Sequence, residues 1–179
     1  MAQPVQPSSP PDRNGGPPSL GFLTVLNEAS GYLGGYLVTN SWGRPLEFRL
    51  SSAVQPNRVQ TVLYGGTLEP YICADLIGKT LVDKAAVPVG LVVTDREAVL
   101  DLRLKVEVPV VWLVAGDDPR AAGGSAISAP GAGGARLLCH PRFTADVPLV
   151  RDLLARLESS FDLAEPFTRI REAIGEARK

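Results

Sequence analysis

Residues 89–114 read VGLVVTDREAVLDLRLKVEVPVVWLV, and this stretch decides the fold. Val89–Thr94 is a continuous apolar run rich in β-branched residues, the pattern of a strand buried on both faces. Arg96–Leu104 mixes charges with leucines and predicts a short helix. Val108–Val114 (VPVVWLV) is a second run of the first kind. Strands separated by helices imply parallel pairing through a crossover.

Upstream, the pattern changes. Gly21–Glu28 (GFLTVLNE), Gly35–Asn40 (GYLVTN) and Leu46–Leu50 (LEFRL) read as three strands of an antiparallel meander. Ala29–Gly35 is a glycine-rich connection, and Asn40–Gly43 has the chemistry of a tight turn. Asn57 is placed to cap a short helix, Arg58–Tyr64, ended by Gly65-Gly66. A longer helix, Thr67–Ala86, follows. Its apolar residues Leu68, Ile72, Cys73, Leu76, Ile77 and Leu81 share one face, with Asp75, Lys79 and Asp83 opposite. Glu69 falls on the apolar side, where a bare carboxylate is costly. It must be paired, metal-bound or at the rim of a cleft.

Downstream, Gly116–Ala135 is Gly/Ala-rich and reads as a flexible loop. Arg136–His140 suggests a short sixth strand. Pro148–Leu157 and Leu163–Ala177 are amphipathic helices, the last bearing Leu163, Phe167, Ile170 and Ile174 on one face. The organisation expected is a disordered Pro-rich tail over 1–19, one α/β domain over 20–160, and a C-terminal amphipathic helix over 161–179. That helix docks on its own domain or joins two copies through 163–177.

Composition excludes several classes. Of 179 residues, 45% are hydrophobic, enough for a sizeable core. The formal charge of -1 gives no global basic field for nucleic acid. No run reaches the ~20 apolar residues of a membrane span, and a cytoplasmic protein is expected. Cys73 and Cys139 read as reduced, buried thiols. The single histidine, His140, lacks the partners a zinc site needs.

The order of elements resembles the ribonuclease H-like fold over Gly21–Leu157: three antiparallel strands, a helix, then parallel strands alternating with helices. The resemblance implies a mixed five- or six-stranded sheet flanked by helices. It also implies carboxylates around two divalent ions, drawn from the first strand, the start of the long helix, the end of the fourth strand and a late helix. Glu69 matches the helix acid, Asp95 matches the fourth-strand acid, and Asp152 or Asp146 the late one. The first strand carries Asn27 and Glu28 in place of an Asp.

Asp95 has a second reading, because Thr94–Glu97 (TDRE) fits a capping box. Asp117 and Asp118 follow the fifth strand and join the candidate metal ligands Glu69, Asp95 and Asp152. Two functions are therefore expected. The first is a non-catalytic interaction or adaptor domain with a protein partner and no cofactor. The second is a nuclease-like phosphodiesterase acting on nucleic acid with Mg²⁺ or Mn²⁺, using Glu69 and Asp95.

Overall fold

The computed structural model describes residues 18–179 except 123–124, 132 and 158–159. Most of the expected 1–19 tail lies outside these residues. Ser19 lies inside, and its carbonyl accepts a hydrogen bond from the Gly90 N–H, so it belongs to the folded unit.

Seven strands form one mixed sheet: β1 (Leu20–Glu28), β2 (Gly31–Thr39), β3 (Pro45–Leu50), β4 (Leu91–Thr94), β5 (Val110–Val114), β6 (Ile127–Ser128) and β7 (Arg136–Cys139). Their order across the sheet is β3-β2-β1-β4-β5-β7-β6. β1, β2 and β3 are antiparallel, β1 is parallel to β4, and β4 is parallel to β5. This is the α/β ribonuclease H-like arrangement that the order of elements predicts. β7 runs antiparallel to β5, and β6 adds a seventh strand inside the stretch expected to be an unstructured loop.

β2 begins four residues earlier than its sequence suggests. Gly31 pairs with Glu28 across a tight turn, so no long connection separates β1 from β2. The glycines that read as a loop are strand residues with a packing role. A Cβ on Gly34 would sit 2.2 Å from Ile77 Cγ2, and one on Gly35 would sit 2.5 Å from Ile170 Cγ2. Adjacent strand residues face opposite sides. The two glycines thus let a helix approach β2 on each face.

Helices cover both faces. α1 (Arg58–Tyr64) is capped by a reciprocal Asn57–Gln60 box. α2 (residues 68–84) is α-helical at both ends and π-wound over Tyr71–Gly78. Arg96–Leu104 is helical as expected, but wound as a 3₁₀ helix over Glu97–Leu104. α3 spans Asp146–Leu154 and α4 spans Glu165–Ala177. One core lies under α3 and α4 with Phe22, Leu91, Phe167 and Ile170. The other lies under α2 with Leu23, Val92, Ile72 and Trp112. The apolar stripe of α4 is buried on its own sheet, where Phe167, Ile170 and Ile174 are almost fully covered. The homodimer expected through 163–177 therefore finds that stripe already occupied.

α1 differs from the other helices, since it buries no residue. Val59, Val62 and Leu63 are 65%, 71% and 77% exposed. Among the described residues, no helix is long and apolar enough to cross a membrane.

Candidate functional site

Open α/β sheets place ligands at the carboxyl ends of their parallel strands. Here that end holds a cleft of ≈ 860 Å³, lined among others by Glu69, Asp95, Arg96, Asp101, Trp112 and His140. Asp95 directly follows β4. The parallel register sets Leu23 beside Thr94, which brings Thr24 of β1 next to Asp95. The Thr24 hydroxyl donates to Asp95 Oδ1 at 2.7 Å. Arg171, reaching from α4, pairs with Asp95 Oδ2. Both carboxylate oxygens therefore have partners from the protein.

The register corrects the expected geometry of the first strand. Asn27 pairs with Tyr32 near the β1–β2 turn, away from β4. The residue beside Asp95 is Thr24, a neutral hydroxyl. It is the one polar residue within the LGFLTVL run, and that was the available signal.

Glu69 comes from the first turn of α2 and is exposed at the rim rather than held on the core side. Its partner is Arg96, whose guanidinium donates to Glu69 Oε1 at 2.6 Å. Arg96 is oriented by the end of β4, because the Thr94 hydroxyl accepts its backbone N–H at 3.1 Å. The capping box expected at Thr94–Glu97 does not form: the Thr94 hydroxyl takes the Arg96 N–H, not that of Glu97, and the helix starts after Arg96 without a side-chain cap. Glu97 pairs instead with Arg120 at 2.7 Å.

The other acids do not converge on Asp95. Asp118 is held by Arg120, which donates to it from both side chain and backbone. These contacts, the side-chain ones foremost, lower its pKa to about 2. The same guanidinium lies over the Trp112 ring, 4.5 Å from its centroid. Asp117 lines a separate hollow with Gly116, Gly133 and Gly134. Asp152 is exposed on α3 and is not part of the cleft wall. Asp146 is buried in an ion pair with Arg103 at 2.8 Å. In each case a nearby guanidinium or the course of the chain after β5 draws the acid elsewhere.

Divalent ions of the Mg²⁺ type need several convergent oxygen ligands. Among the described residues, no group of three or more His, Cys, Asp or Glu could hold a metal ion. Four acids line the cleft, but Glu69, Asp95 and Glu97 are each paired with an arginine, Asp101 faces His140, and the first-strand place is a threonine. The residues present do not fit a two-metal centre.

His140 lines the far wall and is almost fully buried. Its Nδ1 accepts the Arg142 N–H at 3.1 Å, so in the neutral ring the proton sits on Nε2, 3.0 Å from Asp101 Oδ1. The ring stands edge-on to Phe143. Both cysteines are free thiols. Burial pushes Cys73 up to about 12 and Cys139 up to about 11, which leaves them poor nucleophiles.

No family model and no curated protein matches the chain. Among solved structures, an endonuclease V from Streptomyces avermitilis is similar at 13% identity, covering 92% of this chain and 86% of its own, with a TM-score of 0.46. An endonuclease V from Ciona intestinalis, in complex with a 23mer DNA containing an inosine, is similar at 8% identity over 89% and 86%, with a TM-score of 0.47. Neither likeness transfers a residue or an activity to this chain.

Proposed function

We propose that this chain is a non-catalytic interaction domain on a ribonuclease H-like frame, its cleft serving recognition rather than hydrolysis. The observation that carries this reading is the state of Asp95. One oxygen is bonded by Thr24 and the other is paired with Arg171. A cation entering there would have to displace a guanidinium and would gain only a neutral hydroxyl from β1. A protein partner is supported by α1, whose exposed Val59, Val62 and Leu63 stand close in sequence to Gly66 on the cleft rim. Scattered exposed apolar residues are ordinary, but three on one short helix that buries nothing suit an interface.

A second reading is a divalent-metal-dependent phosphodiesterase. It is favoured by the sharing of one cleft between Glu69 and Asp95, and it lies nearer the two endonuclease V structures. It requires Arg96 and Arg171 to leave both acids.

Thermal melts with and without millimolar Mn²⁺, run beside a cleavage assay on labelled single- and double-stranded oligonucleotides, separate the two. The interaction reading expects no metal-dependent rise and no cleavage. A reproducible rise that vanishes in Glu69→Gln and Asp95→Asn would make the phosphodiesterase the better reading.

A further inference from the structure

A second recess lies at the opposite end of the sheet. It is a groove of ≈ 580 Å³ against the segments that lead into β4 and β5. Its walls are aliphatic: Val82 from α2, Val87 and Val89 before β4, and Val106 and Val108 before β5. Its size falls within the range of small-molecule pockets.

Tyr36 of β2 also lines this groove and is 1% exposed. Its ring lies across Gly21 of β1, where a Cβ would sit 2.4 Å from the hydroxyl. Glycine at 21 is therefore what allows the ring to lie there. Among the described residues, no hydrogen bond to a protein group satisfies that hydroxyl, although a buried hydroxyl without a partner is destabilising. Nor does it count among the sealed, unsatisfied polar atoms, of which Arg136 Nε is the single example among the described residues. Its partner must come from the groove. In the free chain that partner is solvent, which a carbonyl oxygen carried into the groove would replace. Glu47 is close enough to act electrostatically on Tyr36, but its carboxylate is engaged by Arg49 and by the Ala86 and Val87 N–H groups.

The charges lining the groove cancel. Lys79 pairs with Asp83 at 2.6 Å, and Lys105 is offset by Glu107 two residues on. Neither an anion nor a cation is favoured. We propose that this groove is a binding site for a small, neutral aliphatic molecule with one carbonyl oxygen, which accepts the Tyr36 hydroxyl proton while its hydrocarbon body packs on the valines. Burial raises the pKa of Tyr36 well above the ordinary tyrosine value, so the hydroxyl remains a donor across the physiological range.

The probe is 2-octanone, titrated by calorimetry into the full chain, with octanoate and octylamine as charged analogues. Saturable binding of 2-octanone is expected, with both analogues weaker by about tenfold or more. Tyr36→Phe keeps the ring and removes the hydroxyl. It should weaken 2-octanone by about tenfold, the loss of one hydrogen bond to a buried donor. Lys84→Gln, exposed at the end of α2 and outside the groove lining, should leave binding unchanged. If Tyr36→Phe does not fold, a saturable tyrosine difference spectrum of the natural chain with 2-octanone gives the same reading. The proposal is overturned by no saturable binding, by equal binding to Tyr36→Phe, or by charged analogues that bind as tightly.

Discussion

The Thr24 hydroxyl on β1 donates to Asp95 Oδ1 across the β1–β4 pair at 2.7 Å. This contact joins the antiparallel and parallel halves of the sheet at the cleft floor. Thr24→Val keeps the shape and removes the donor, leaving one carboxylate oxygen short of a partner. A loss of ~1–3 kcal/mol is expected, read from urea unfolding. An unchanged midpoint would mean that solvent already satisfies Asp95.

The Arg103–Asp146 pair ties the 3₁₀ segment to α3, with side chains only 14% and 5% exposed. Arg103 also donates to the Val106 carbonyl and stacks on Phe143. Asp146→Ala should cost ~3–5 kcal/mol, because it strands a covered guanidinium. Replacing both partners, as Arg103→Met with Asp146→Leu, should cost less than the single change. Chemical denaturation of both variants checks the order.

Glu47 sets a pH dependence. Its pKa is lowered, first by the Arg49 side chain and then by the Val87 and Ala86 N–H groups. A carboxylate depressed in the folded state stabilises fully above its ordinary value near 4.5, and that contribution disappears as pH falls through the lower, folded value. The melting temperature should therefore drop below about pH 4.5, and Glu47→Gln should flatten that part of the profile. Parallel slopes for the two proteins would show that the bonds to β3 are not made in solution.

α1 should exchange its amide protons fastest of the four α-helices. A seven-residue helix that buries nothing is held by its Asn57 box and little else, and helices this short are marginal alone in water. Hydrogen-exchange mass spectrometry of the free chain should show little protection over 58–64. Strong protection that weakens on dilution would reveal that α1 is covered by another copy.

The parallel strands were legible because burial on both faces leaves an unbroken apolar run, as in Val89–Thr94. The caps at Asn57 and the ion pair Lys79–Asp83 were legible because they are local. The start of β2 was not. Gly31, Gly34 and Gly35 look like loop residues to a propensity argument; the structure shows Gly31 at a positive φ against the Val54 backbone, and a helix lying against each of Gly34 and Gly35. The cleft was half legible. Glu69 and Asp95 do share it, but which residue faces Asp95 depends on the β1–β4 register, and sequence does not give a pairing between strands about seventy residues apart. The arginines that bind these acids, Arg96 and Arg171, come from one neighbouring residue and one distant helix, and no local pattern marks them.

The glycine pair in β2 has a mechanical consequence. Elsewhere the helical layers are spaced from the sheet by side chains that can change rotamer and absorb small displacements. At Gly34 and Gly35 the spacer is missing on both sides, and Ile77 and Ile170 bear directly on the backbone. β2 is there a thin web between two flanges, with almost no compliance. A thickening at either glycine cannot be taken up locally, and the load passes to a whole helix: α2, which carries Glu69, or α4, which carries Arg171. This tight contact lies outside the cleft and sets the separation of the helix that carries Glu69 from the helix that carries Arg171.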